Sequence, residues 1–208
     1  MNTGSQMTIN TPRQTDDTNL KEFKGQFDWL SPEELANAHD WWDIYIQSFP
    51  PHERDTKQQI SLALQKNIAQ VGCYRINHAI AAIVVLYRMH SPAFAFLHYF
   101  AVAKAWRNQS LGSKLFPLIM EEADKFVLKN NQQTLGLFWE VEDPEAAEND
   151  MDRHMQNKRI SFYKKLGGKL FKTKFIQPPI NNHDIVHLRL MSNTIEKSVV
   201  EKEIAKAI

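Results

Sequence analysis

The run Phe138-Trp139-Glu140-Val141-Glu142 places two carboxylates two residues apart. On a strand, that spacing puts both on one face. Carboxylates that share a face among aromatic rings can have raised pKa values, through desolvation and through mutual repulsion. A carboxylate poised in that way takes up a proton near neutral pH, which is the work of a general base. The plainer reading of Glu140 and Glu142 is a solvated strand edge. His98, on a strand that leads into a turn, is a further candidate for moving a proton.

A second stretch has the makings of an anion site. Leu97-His98-Tyr99-Phe100-Ala101-Val102 reads as a strand end, and Trp106-Arg107-Asn108-Gln109-Ser110-Leu111-Gly112-Ser113-Lys114-Leu115 as a short loop and a helix start. The first N–H groups of a helix have no partner within it, and they lie at its positive end. Such a start suits a phosphate or pyrophosphate, and Gly112 and Ser113 leave room for it. Ordinary capping is the alternative. The segment is not a Walker A loop, because Ser113-Lys114 reverses the order and the earlier glycine is missing. The G-x-G-x-x-G spacing of a dinucleotide fingerprint is also absent. His183-Asp184-Ile185-Val186-His187 echoes H-E-x-x-H, but its alternating, β-branched character is that of a strand, so no metal is expected.

The elements that must position these residues follow from periodicity. Gln26 to Leu30 reads as a strand. Ser31-Pro32-Glu33-Glu34 reads as a capped helix start, with the helix running through Trp41, Trp42, Ile44, Tyr45 and Ile46 to Pro50-Pro51. A second helix is expected over 54–66, with Ile60, Leu62 and Leu64 as its apolar residues. Strands follow over 69–75, 79–89 and 93–103, the first two joined at Asn77-His78. Leu111, Leu115, Leu118, Ile119, Ala123, Phe126 and Val127 have helical spacing. A strand over 134–141, an acidic loop over 142–152 and a short helix over 158–166 come next, the helix ended by Gly167-Gly168. Strands over 170–175 and 184–191 and an amphipathic helix over 195–208 complete the chain. This order indicates an α/β sheet of mixed strand direction, with a parallel crossover from Phe96 to Val141. No internal repeat is visible.

Composition bounds the function. The chain has 208 residues, 43% apolar and 24% charged, which fits one globular domain. Lysine and arginine number 25 against 24 acidic residues, a net charge of +1 that argues against a nucleic-acid binder. Cys73 is the only cysteine, which excludes an internal disulfide and a cysteine-rich zinc site. It has no evident histidine partner, which argues against a covalent cysteine intermediate. The longest apolar run, Ala79 to Tyr87, is about half the ~20 residues of a membrane helix. The first twenty residues are polar and lack the apolar stretch of a signal peptide. A cytoplasmic protein without membrane contact is expected, with residues 1–20 as a mobile tail.

Arg107-Asn108-Gln109-Ser110-Leu111-Gly112, five residues after Val102, resembles the Q/R-x-x-G-x-G/A signature of the GNAT superfamily of N-acetyltransferases. Ser110 departs from it, standing where the family usually has its first glycine. Arg159-Ile160-Ser161-Phe162-Tyr163-Lys164-Lys165-Leu166-Gly167-Gly168 resembles the family's helix ending R-F-Y-E-K-L-G-F. Ser48-Phe49-Pro50-Pro51-His52-Glu53-Arg54 is similar to S-F-P-x-x-E-R, found after the first helix in many members. The likeness covers roughly 25–192, so the domain is taken as 21–192, with a C-terminal helical tail over 193–208.

The resemblance implies a GNAT fold: a mixed, mostly antiparallel sheet splayed at the coenzyme A site, with helices on both faces. It implies an acetyl-CoA-dependent N-acyltransferase that moves an acetyl group to a primary amine, directly and in a ternary complex. Acetyl-CoA and an amine acceptor are the implied partners, without a metal, and a homodimer is compatible with them. The pantetheine arm would pair near Phe100, Ala101 and Val102. The N–H groups of Arg107, Asn108, Gln109, Ser110, Leu111, Gly112 and Ser113 would hold the pyrophosphate, and Ser161 joins the expected coenzyme contacts. Tyr163 matches the tyrosine that protonates the leaving thiolate, and a backbone N–H near Val102 would stabilise the oxyanion. Some members place a base where this chain has Phe96. The base then falls to Glu140 or Glu142, with His98 or a water chain as alternatives.

Further residues keep two readings each. The acidic loop is a solvated loop or an attractor of cationic amines. Lys158, Arg159, Lys164 and Lys165 are a wet helix face or partners of the coenzyme's 3′-phosphate. Trp41 and Trp42 are core, or a wall against substrate. Two other functions compete: a GNAT-like protein that binds acyl-CoA without catalysis, and an α/β domain that only mediates interactions. Small amine, peptide N-terminus, lysine and polyamine all stay open as acceptors.

Overall fold

A computed structural model describes residues 24–127, 134–177 and 186–193. The expected tails over 1–20 and 195–208 lie outside these residues, as do His183 and Asp184. Seven strands form one sheet: β1 (Gln26–Trp29), β2 (Ala69–Ile76), β3 (Ala79–His90), β4 (Ala93–Val102), β5 (Leu137–Glu142), β6 (Lys169–Gln177) and β7 (Val186–Ser192). Their order in space is β1-β2-β3-β4-β5-β7-β6. Every neighbouring pair is antiparallel except β4 and β5, which are joined by the helix α4 (Leu111–Val127) as the Phe96–Val141 crossover predicts.

That parallel pair is short. β4 and β5 share only Ala95↔Leu137, Phe96↔Phe138 and Leu97↔Trp139. Beyond Leu97, β4 keeps its pairing with β3 as far as Ala82↔Val102, while β5 keeps its pairing with β7 as far as Glu142↔Leu188. The sheet therefore parts between the two strands. A β-bulge lies at the same point: Val85 pairs with Tyr99 and Leu86 with Leu97, which leaves His98 as the extra residue. A bulge bends and twists its strand, and here it carries the end of β4 away from β5.

Helices cover both faces. On one, α1 (Pro32–Asn37), α2 (His39–Ser48) and α3 (Lys57–Gln65) pack Leu35, Trp41, Trp42, Tyr45 and Ile60 against Val71, Val85 and Tyr99. On the other, α4 and α5 (Asp150–Lys165) pack Phe116, Ile119, Phe126 and Ile160 against Val84, Leu97, Trp139 and Val141. This is the fold class the sequence implied, a mixed, mostly antiparallel open sheet between helices.

Local boundaries differ in three places. The first expected helix is two, broken at Ala38. Ser31 does cap α1: its hydroxyl accepts from the Glu34 N–H and the Glu34 carboxylate from the Ser31 N–H, a capping box of about 1 kcal/mol. The Trp42 indole donates to the Leu35 carbonyl at 2.9 Å and the Trp41 indole to the Gly72 carbonyl at 2.9 Å. Both rings are thus core, not a substrate wall. Leu62 is exposed, and Ala63 joins Ile60 in facing the core from α3. The largest difference is α5, which starts at Asp150 and absorbs part of the expected acidic loop. Asn149 caps it, accepting from the Asp152 N–H at 2.9 Å. Its first two turns bury nothing apolar, so no hydrophobic period announces them.

Candidate active site

The parting of β4 and β5 opens into a cavity of about 520 Å³, a size usual for small-ligand sites. Its walls come from Leu97 to Val102 of β4, Trp139 to Glu142 of β5, and Arg159 and Tyr163 of α5, with Arg107 at one end. Phe49, Pro50 and Glu53, from the segment after α2, complete it with Leu188 of β7.

One side is the end of β4, and the turn that follows it, Asn108 to Ser113, lies beyond the cavity's lining. The end of β4 turns through a short 3-10 segment (Lys104–Trp106) into α4. The first bond of the α4 ladder joins the Lys114 N–H to the Ser110 carbonyl at 3.2 Å, so the N–H groups of Leu111, Gly112 and Ser113 precede it. Asn108 and Ser110 both have φ of 60°, a left-handed conformation that glycine adopts freely and other residues adopt at a cost. The serine at the family's glycine position therefore keeps the turn that glycine would make. A methyl group placed on Gly112 would meet only ordinary contacts, 3.6 Å to the Phe162 ring and to Val102. Close packing within the protein does not require glycine there.

Two expected contacts look different in place. The Arg107 N–H bonds the Lys104 carbonyl at 3.4 Å, and its guanidinium folds back to the Val102 carbonyl at 2.8 Å and the Ser48 hydroxyl at 3.0 Å. Arg107 thus ties the strand end to α2. Ser161 is exposed on α5 and does not line the cavity, unlike Phe100, Ala101, Val102 and Arg107.

The other side is made of side chains. Glu140 and Glu142 share a face of β5, and both line the cavity. Their surroundings differ. Burial pushes the Glu140 carboxyl up to about 7, while the charge of His98 acts in the opposite direction. Glu142 is ion-paired with Arg159 of α5. The mutual repulsion expected from spacing does not act at Glu140, where burial alone raises the carboxyl. Arg159 is half-exposed on α5 and engaged by Glu142, so it is not a free partner for a 3′-phosphate. Tyr163, one turn further along α5, packs against Phe116, Trp139 and Phe162. Burial raises its hydroxyl to about 12, against the lowering effect of Arg159, so it stays protonated at neutral pH.

His98 meets a partner that no pattern announced. Its Nε2 lies 2.9 Å from Asp55 Oδ2. Asp55 stands between Arg54 and the Thr56 cap of α3, a place where an acid reads as helix-start chemistry. Three acids of the loop are engaged elsewhere: Asp143 and Glu145 with Lys174, and Asp150 with Arg153. Of the acids in 142–152, only Glu142 lines the cavity, and it is paired with Arg159. Phe96 is buried with Phe94, Phe138 and Phe171, so the position offers no base. Cys73 is buried and free on β2. Among the described residues no cluster of metal-binding side chains occurs, and no helix is long and apolar enough to cross a membrane.

These features fit a thioester of an extended, anionic carrier. The unpaired side of β4 beyond Leu97 can pair an amide arm, and the start of α4 can receive phosphate. Comparison with known proteins agrees on the class. The model of the acetyltransferase (GNAT) family matches residues 35–167, so this chain belongs to that family. A GNAT-family acetyltransferase structure from Bacteroides thetaiotaomicron superposes with a TM-score of 0.66 at 19% identity, over 87% of this chain and 92% of that one. Arabidopsis thaliana NAA60 in complex with acetyl-CoA gives 0.57 at 11%, over 82% and 98%. The ribosomal-protein-S18-alanine N-acetyltransferase of Escherichia coli gives 0.53 at 18%, over 85% and 97%. At these identities the likeness is one of fold. A sequence search of curated proteins finds no match.

Proposed function

We propose that this chain moves an acetyl group from acetyl-CoA to a primary amine by direct transfer in a ternary complex. The observation that carries the reading is one cavity, opened by the parting of β4 and β5, with Glu140 on one wall and Tyr163 on another. Glu140 would accept a proton from the substrate ammonium and so free the amine to attack. A carboxylate with a pKa of about 7 is half ionised at neutral pH, near the best compromise for a base. The amine nitrogen then bonds the thioester carbon. A backbone N–H at the β4 end would stabilise the oxyanion. As the carbon–sulfur bond breaks, the Tyr163 hydroxyl would give its proton to the thiolate, and the second proton shed by the nitrogen as the amide forms would return through water to the tyrosinate. Glu142, held by Arg159, is assigned the part of fixing that arginine beside Tyr163.

Acetyl-CoA offered with a panel of small amines, peptide N-termini, lysine peptides and polyamines, read by free-thiol release, tests the reading. Amine-dependent release is expected for at least one class. Coenzyme binding with no release from any amine would favour the binding-only alternative, to which Phe96 in place of a carboxylate already points. Absence of coenzyme binding would overturn both.

A further inference from the structure

The bulge in β4 turns two consecutive side chains, His98 and Tyr99, toward the segment between α2 and α3. The Tyr99 hydroxyl donates to the Glu53 carbonyl at 2.9 Å and accepts from the Asp55 N–H at 2.9 Å. The Tyr45 hydroxyl donates to the Asp55 carbonyl at 3.1 Å. The main chain of Asp55 is thus held on both sides, and its carboxylate is delivered to His98 Nε2. With side-chain exposures of 17% for Asp55 and 26% for His98, the contact is sheltered from solvent. Leu97 and Trp139 are the last residues that β4 and β5 pair. His98 and Glu140 are the next on each strand, and both line the cavity.

We propose that Asp55 and His98 form a positioning dyad: Asp55 holds the imidazole and its proton in place, and the imidazole governs how readily Glu140 takes up a proton. This rests on Glu140 as the base of the proposed transfer. A carboxylate hydrogen-bonded to an imidazole fixes which nitrogen carries the proton and favours the cationic ring. A cation in a low-dielectric cleft favours the ionised form of a neighbouring carboxylate. Burial of Glu140 works against ionisation, and the His98 charge works for it. The loop before α3 thereby reaches the base without touching it.

The other ionisable groups of this region, among the described residues, do not replace that link. Tyr87 from β3 and Tyr99 pack on the His98 ring as neutral phenols, both raised by burial. Glu142 and Arg159 neutralise each other. Glu53 lines the cavity from the other end of the Asp55 segment, Tyr163 lines it from α5, and Arg107 is engaged at the β4 end.

The sign of one measurement decides the matter. If Asp55 acted on Glu140 only as a nearby negative charge, removing it would make Glu140 easier to ionise. Acting through His98, its removal makes Glu140 harder to ionise. The test is a titration of the Glu140 carboxyl carbon by 13C NMR in the full chain, without substrate, assigned with Glu140→Gln. Asp55→Asn keeps both main-chain hydrogen bonds of the residue. It should move the Glu140 midpoint upward by about half a unit or more. His98→Gln should do the same without altering the loop. In the His98→Gln background, Asp55→Asn should move the midpoint downward or leave it. A downward shift from Asp55→Asn alone, or no shift from His98→Gln, would overturn the dyad. Because no substrate enters, this result is independent of the thiol-release screen, which tests the transferase reading.

Discussion

The two halves of the cavity are built from different materials. The half at the β4 end is a strand edge unpaired beyond Leu97, and it leads, beyond the cavity's lining, into a turn with left-handed Asn108 and Ser110 and the first N–H groups of α4. The half facing it is side chain: Glu140, the Glu142–Arg159 pair, Tyr163, and His98 with Asp55. A main-chain site depends on backbone course and tolerates many residues. A side-chain site depends on each partner, because every buried charge must meet a compensating group. The first half should therefore absorb most substitutions, whereas single changes in the second should abolish function.

Glu140→Gln gives the strongest test of that contrast. It keeps the shape and removes the basicity, so turnover at neutral pH should fall by about 10³-fold, within the range of general-base catalysis. In the parent chain the rate should rise with pH through about 7, where Glu140 ionises. In the variant the rise should move to the pKa of the amine itself. An unaltered pH–rate profile would remove Glu140 as the base.

Tyr163→Phe should lower turnover by about 10²-fold while leaving coenzyme affinity nearly unchanged, since the ring still packs against Trp139 and Phe116. Full turnover in that variant would leave Tyr163 as packing alone.

On the main-chain half, only bulk and charge at the approach itself should matter. Gly112→Glu puts a carboxylate where the phosphates are expected, and calorimetry should show coenzyme affinity reduced at least tenfold, roughly 1.4 kcal/mol. Unchanged affinity in the folded variant would move the anion site elsewhere.

A smaller effect concerns stability. The folded pKa of Glu140 lies above the 4.5 of an ordinary glutamate. The folded state then binds a proton that the unfolded state has lost between about pH 4.5 and 7, so stability declines through that window as pH rises. Glu140→Gln lacks this decline. Its melting temperature should exceed the parent's by a few degrees at pH 8 and match it near pH 4.5, as read by thermal unfolding at both values. The smallest effect belongs to the turn. Ser110→Gly removes a left-handed penalty of about 1–2 kcal/mol and returns about 0.5–1 kcal/mol through a freer unfolded chain. The net gain of about 0.5–1 kcal/mol should raise the melting temperature by about 1–4 °C without altering coenzyme binding.

Legibility in the sequence followed the same division. The strand end at Val102 and the small residues of Ser110 to Ser113 are contiguous, so the turn they build could be read from them directly. The capping box at Ser31 and Glu34 and the β4–α4–β5 crossover were likewise visible, being local or separated by one regular helix. Glu140 and Glu142 were visible as a pair because strand alternation is local too. Their unequal roles were not, since Arg159 lies 17 residues from Glu142 along the chain. The first half of α5 was hidden because its residues from Asp150 to Lys158, all but Gln156, are exposed and carry no apolar period.

By itself the sequence determined the parts that depend on neighbours in the chain: the element order, the turn at the start of α4, the face shared by Glu140 and Glu142, and the motifs that mark the family. Only the tertiary structure decided which charge met which. Asp55 reaches His98 across 43 residues because a bulge in β4 and two tyrosine hydroxyls bring its loop there. Pairings of that kind arise from how a sheet parts and what packs against it, and periodicity, which reports one segment's own faces, holds no record of them.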